Sequence, residues 1–358
     1  MKIMNIKIVF LGIILFLILG CSQKENIHKT KSKGIDPHKP MSWGHKQTVY
    51  VFADDNVWKY AKGHLLKTLE RVRFTTENEK VFVVKRAPID NLDNFYKFNN
   101  LIFFCNLESN DKVSAYIKEI MGSKVESEVN DNLIGMYAKD NVWANDQFVL
   151  FILGSNEPNL LKFNILQSHK IFDLFKEKLF DRISGQLYKT SVYSDDRFTA
   201  FQWTLKLPKK YVLYKNDTAN NFILFIARLR NKSDRYISVY FQKIPKEEFN
   251  RNWLRETRQN ISWKYYDEDE YFDKDVRMEK YKLAGFQGWR LTGRWQNKKY
   301  SVGGAFQSFA IYDEVNGLAY LIDNSVYYPD GEKLEALYEL EIISKTFKLK
   351  DSEQGDLK

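Results

Sequence analysis

Two cysteines in 358 residues are too few for a disulfide scaffold. Seven prolines and 17 glycines exclude a fibre or a linker-type chain. Histidine is scarce: of five in all, only His64 and His169 fall within residues 48–350. There is no His-Glu-x-x-His and no Cys-x-x-Cys, so no metal is expected. A Walker loop and a Gly-x-Ser-x-Gly elbow are also missing, and no cofactor is expected. Ser301-Val302-Gly303-Gly304 resembles an oxyanion loop only superficially. Paired glycines in a strand pattern read as a bulge or a close backbone approach. What is present is ordinary globular material: 44% apolar, 28% charged and 15% aromatic residues. That composition excludes disorder over most of the chain.

The leader is the most informative segment. Lys2 and Lys7 form a positive start, and Ile8 to Leu19 is a twelve-residue apolar run broken only by Gly12. It is shorter than the ~20 residues of a membrane-spanning helix and has the length of a signal-peptide core. Ile18-Leu19-Gly20-Cys21 then resembles a bacterial lipobox, with Leu19 at a position that favours Ala or Ser. The resemblance implies cleavage before Cys21 and acylation of its thiol and new amino group. Each buried methylene contributes about 0.8 kcal/mol, so several acyl chains hold a protein at a membrane stably. Residues 1–20 are therefore expected to be a signal peptide, and the membrane a partner through lipid, palmitate included, on Cys21.

Residues 21–47 read as a lipidated Cys and a flexible basic tether. Of the chain's net charge of +9, the leader carries +2 and residues 22–48 carry +4. Only +3 remains for the rest, with no Lys/Arg stripe, so no nucleic-acid partner is expected. Ser22-Gln23-Lys24-Glu25-Asn26 is similar to the lipoprotein export signals of Bacteroidota. It implies an outer-membrane position, surface-exposed or periplasm-facing.

Within 48–188, strands are expected at 48–53, 81–85, 101–106, 135–138 and 147–153. Helices are expected at 57–71, 113–121 and 159–180. Asp54-Asp55-Asn56 supplies capping chemistry ahead of the first helix. Within 195–350, strands are expected at 199–207, 221–230, 235–242, 287–295, 299–309 and 317–328. Helices are expected at 246–266 and 331–347. The fold class is α+β: two α/β-sandwich halves, mainly antiparallel sheets with helices packed on one face. Residues 351–358 are a polar tail.

Several motifs together resemble a Bacteroidota lipoprotein family known only as domain of unknown function 4837. They are the strand ahead of Trp58, Trp143-Ala144 with Gln147, and the Leu205–Tyr211 segment. More specific are Gly293-Arg294-Trp295, Gly303-Gly304 with Phe306, and Val326-Tyr327-Tyr328-Pro329. Ala305 stands where the family pattern has Pro. The family has no assigned activity, so the resemblance implies location and fold but no mechanism.

Candidate ligand contacts are Arg294 beside Trp295, for an anion or a stacked sugar, and Trp143 with Gln147. Asp217-Thr218-Ala219 matches the short O-glycosylation pattern of Bacteroidota, making Thr218 a candidate acceptor. Cys105, in an apolar run, reads as a core residue. The acidic run Asp267-Glu268-Asp269-Glu270 with Asp273 and Asp275 reads as a solvated helix end. No catalytic residue emerges. The expectation is a membrane-anchored cell-envelope lipoprotein of unknown biochemical activity, a non-catalytic binding or assembly module with an envelope protein or glycan partner. The alternative is an envelope hydrolase acting on glycan or peptidoglycan.

Overall fold

The computed structural model describes residues 27–30, 34–121, 127, 129 and 134–350. The segment expected to be a signal peptide at 1–20, Cys21 and the tail at 351–358 lie outside the described residues. No helix among those described is long and apolar enough to cross a membrane. By contacts the chain falls into two units. The first holds residues up to Trp43, Tyr50–Lys62 and Arg86–Ile165; the second holds Gly44–Val49, Gly63–Lys85 and everything from Leu166 onward. A division at 188–195 therefore describes chain order, while contacts group residues 63–85 and 166–188 with the later half. The fold is α+β, as expected.

Strands β1 (Ile27–Thr30), β2 (Thr48–Ala53), β3 (Val83–Arg86), β4 (Asn100–Asn106), β5 (Ile134–Asp140) and β6 (Phe148–Gly154) form one sheet in the order β1-β5-β6-β4-β2-β3. The β1–β5, β4–β6 and β2–β4 pairs are parallel, and β5–β6 is antiparallel. All seven residues of β4 are buried, as a continuous apolar run in a parallel strand requires. Leu101, Phe103 and Cys105 pack with Val113 and Ile117 of helix Lys112–Ile120. Ile102 and Phe104, pointing the other way, are equally buried. Both faces of this sheet are thus covered, which corrects the expectation of one. Burial pushes the Cys105 thiol up to about 12, so it packs as an inert hydrophobe.

Two local expectations change in this unit. Asp54 does not cap the helix that follows it in sequence. Its carboxylate accepts from the backbone N–H groups of Val113 (2.8 Å) and Ser114 (3.0 Å) and from the Ser114 hydroxyl (2.8 Å). It thereby caps the helix at 112–120, whose own preceding Asp111 makes no side-chain cap. The stretch read as a flexible tether is held in its described part. β1 pairs with β5, and the Asn145 amide donates to the carbonyls of Asp36 (2.7 Å) and Lys39 (2.8 Å). Lys39 Nζ in turn donates to Asn141 O at 2.6 Å. Backbone pairing of this kind needs no apolar residues.

In the second unit β7 (Val212–Asp217), β8 (Phe222–Ala227), β9 (Asp234–Lys243), β10 (Glu270–Tyr271), β11 (Arg277–Leu283), β12 (Phe286–Asn297), β13 (Val302–Asp313) and β14 (Leu318–Tyr327) form an antiparallel sheet. Its order is β7-β8-β9-β14-β13-β12-β10, with β11 also on β12. Helices α1 (Asp55–Leu69), α2 (Lys112–Ile120), α3 (Glu157–Leu166), α4 (Ser168–Leu187), α5 (Arg251–Tyr265) and α6 (Leu334–Ser344) complete the main elements. Neighbours on β14 point oppositely. Asp323 meets Arg258 of α5 at 3.4 Å, whereas Asn324 donates to Ser344 of α6 at 2.8 Å. α5 and α6 therefore cover opposite faces, again two faces rather than one. Glu79 joins the hairpin 72–80 to α6 by accepting from the N–H groups of Lys333 and Leu334, at 2.9 and 2.8 Å.

The long helix expected at 159–180 is two helices, broken at Gln167. The strand expected at 199–207 shrinks to Trp203–Thr204, paired with Lys348–Leu349. Trp203, Leu205 and Leu207 are buried all the same. At Leu205 and Leu207 the alternation records burial without strand assignment. β7 and β11 went unread because both are largely exposed and carry no apolar alternation.

Candidate functional site

The chain leaves α5 through Tyr265-Tyr266 and turns sharply. Asp267 (φ 53°) and Glu268 (φ 69°) both adopt left-handed backbone, though neither is glycine. Such residues cost roughly 1–3 kcal/mol each, and surrounding contacts must hold them. Asn297 on β12 does so: its amide donates to Asp267 O at 2.7 Å and to Asp269 Oδ1 at 2.9 Å. The turn brings Asp267 and Asp269 to the mouth of a cleft of about 230 Å³.

Rings dominate this cleft. Tyr236, Tyr266, Trp295 and Tyr327 line its inner part. Tyr214 and Tyr300 stand at its edge, 57% and 53% exposed. The Tyr266 hydroxyl donates to Ser238 at 2.9 Å, and burial holds its pKa well above the ordinary phenol range. Tyr265 lies flat on Phe222 with centroids 3.7 Å apart and donates to Asp217 at 2.8 Å. Trp295 is 7% exposed, and its indole N–H is enclosed with no partner among the described residues. Charges are fewer. Arg228 pairs with Asp234 at 3.2 Å and reaches the Tyr236 hydroxyl. Burial raises Asp269 to about 6, against the opposing hydrogen bond from Asn297. The arrangement offers flat aromatic faces, one guanidinium and acceptor carboxylates.

Of the candidate ligand contacts Trp143, Gln147, Arg294 and Trp295, only Trp295 lines this cleft. Arg294, next to it on β12, points to the other face and pairs with Asp275 at 2.7 Å. The two do not form one contact. Trp143 and Gln147 belong to the first unit, where they are structural. Gln147 is buried, accepts from Trp143 N–H at 3.0 Å and donates to Phe98 O at 2.9 Å. Trp143 packs on Phe103, with centroids 5.9 Å apart. Thr218 is exposed at the start of a single helical turn, Thr218–Asn220. Gly303 and Gly304 lie inside β13. A Cβ on Gly304 would sit 2.0 Å from Val326 O, so close backbone approach explains it.

The acidic run is not a solvated helix end, which corrects that reading. Asp269 is buried against Asn297, Glu270 pairs with Lys298 at 2.7 Å, and Asp275 pairs with Arg294. The sequence reading missed Tyr214, Tyr236, Tyr300 and Asn297, which come from separate strands and turns. The available signal was the pair Tyr265-Tyr266 directly before that acidic run.

Residues 193–346 match the family model for a domain of unknown function, DUF4837. Residues 42–188 match that of a second, DUF8532. No curated protein matches the chain. Among solved structures, one from Bacteroides thetaiotaomicron is similar at 10% identity and a TM-score of 0.27. It aligns over 42% of this chain, which spans only 46% of that chain's length. LpqN of Mycobacterium tuberculosis, described as involved in cell envelope biogenesis, is 10% identical with a TM-score of 0.29, over 41% of this chain and 83% of its own. The Saccharomyces cerevisiae Ran-binding protein Mog1p is 10% identical with a TM-score of 0.31, over 42% and 92%. All the cleft residues fall inside the 193–346 match, and the chain joins a DUF8532 segment to a DUF4837 segment, both of unknown function.

Proposed function

We propose that this chain is a cell-envelope lipoprotein, anchored at the outer membrane through Cys21, whose cleft binds a glycan without transforming it. The observation that carries the reading is the cleft lined by Tyr214, Tyr236, Tyr266, Trp295, Tyr300 and Tyr327 with carboxylates among the rings. A sugar ring presents C–H faces that pack on aromatic side chains and hydroxyls that need donors and acceptors. Arg228 supplies donors, and Asp234 and Asp267 supply acceptors. Three lining aspartates against the single Arg228 disfavour an acidic sugar and suit a neutral or amino sugar. The leader, lipobox and export-type stretch support the envelope setting.

The test is calorimetric and fluorescence titration of the purified chain with peptidoglycan fragments and soluble outer-membrane oligosaccharides. Tyr214→Ala and Tyr300→Ala should each weaken binding about 5- to 10-fold with little loss of stability, because both side chains stand at the edge of the cleft. Saturable binding that neither variant alters would end the assignment of the cleft. An absence of glycan binding would redirect the search to an envelope protein partner.

One observation favours a second reading, an envelope hydrolase. Asp269, raised to about 6, shares the cleft with Asp234 and Asp267, and a general acid needs such a carboxyl. Release of reducing ends from a bound glycan, abolished by Asp269→Asn, would establish it. Binding by the wild-type chain with no product formed supports the binding module.

A further inference from the structure

A second cavity lies on the other face of β12, lined by Arg290 and Thr292 of that strand and by Gln307 of β13. Thr292 and Gln307 are register partners. Arg73 enters from the 72–80 hairpin, Lys176 from α4 and Arg277 from β11. The space is small, about 40 Å³. A single water needs roughly 10–15 Å³ on this measure, so the cavity holds a group of a few heavy atoms.

Its charges do not balance. Arg290 is met by Glu279 at 2.7 Å and by the fully buried Glu341 at 3.6 Å. Glu341 also takes Lys345 at 2.9 Å. Among the described residues, none of Arg73, Lys176 and Arg277 makes an ion pair. Lys176 is held below its usual pKa first by burial, against attraction from Glu341, with repulsion from Arg290, Lys345 and Arg73 adding to the effect. Gln307 is 5% exposed, and its amide Nε2 has no partner among the described residues. A buried donor without an acceptor, set among surplus cations, marks a place for an anion with several acceptor oxygens.

We infer that this cavity binds a phosphate-type oxyanion, with Arg73, Lys176, Arg277 and Arg290 supplying charge and Gln307 a neutral donor. The site is separate from the aromatic cleft and does not depend on what the cleft binds. A cavity this small takes the phosphate group itself, whether free or as the terminal phosphate of an ester. Guanidinium forks suit that geometry.

The test is thermal unfolding of the purified full chain in sodium phosphate, in glycerol 1-phosphate and in sodium chloride at matched ionic strength. Phosphate should raise Tm by about 5 °C more than chloride at a hundredfold excess over Kd. Lys176→Met and Gln307→Leu should remove that excess, while Lys232→Met, in an exposed turn, keeps it. Gln307→Leu replaces an unpartnered amide with an apolar group of similar size, so the fold is expected to persist without anion. A rise with both phosphates identifies an ester-tolerant site, and a rise with inorganic phosphate alone identifies a free-ion site. Equal shifts in all variants, or no excess over chloride, would overturn the inference.

Discussion

Asp269 is the residue where burial and chemistry meet. Its ordinary value is 3.8, and burial lifts it to about 6 in the folded chain. Between those values the folded state keeps the proton and the unfolded state has lost it. Stability therefore falls as pH rises through this window, and the full penalty is present above about pH 6. Solvent screening limits the effect to the order of 1–2 kcal/mol. Asp269→Asn should flatten the slope of unfolding free energy against pH between 4 and 6, as measured by urea titration. An unchanged slope would show that Asp269 is not shifted. Trp295→Phe keeps a ring but drops the N–H, whereas Trp295→Ala also removes buried packing and should cost about 3–5 kcal/mol.

At the scale of elements, two helices are capped by carboxylates distant in sequence. Asp54 holds the start of α2, and Glu79 holds the start of α6. Both are buried, so truncation removes a partner from backbone donors that water cannot readily reach. Asp54→Ala and Glu79→Ala should each destabilise by about 2 kcal/mol or more in chemical denaturation. Ala at Asp111, which caps nothing, should cost far less. These caps also show why local reading stops short. Asp54-Asp55-Asn56 has capping chemistry, and a cap is what Asp54 becomes, but its helix begins 58 residues further on. Strands β4, β6, β8, β9, β12, β13 and β14 were legible because burial imposes apolar runs or alternation on them. Exposed β7 and β11 receive no such imprint.

At the scale of the molecule, the proposed anchor makes its own prediction. Cys21→Ala should move the protein from the membrane fraction of producing cells to the soluble fraction. Protease treatment of intact cells should then decide the exposed side of the wild type. Retention of the variant in the membrane fraction would refute lipid anchoring at Cys21. Leader, cysteine and charge distribution are properties of contiguous residues, so the sequence by itself determined these expectations. It also determined the α+β class and the burial of Cys105, since apolar periodicity is local. The tertiary structure alone decided that Trp295 and Arg294 part company, because neighbours on a strand face opposite ways. It alone assembled a cleft from Tyr214, Tyr236, Tyr266, Tyr300 and Tyr327, and a cationic cavity from residues more than two hundred positions apart. Spatial convergence of such residues depends on strand order and register, which sum over many weak contacts and leave no local mark in the chain.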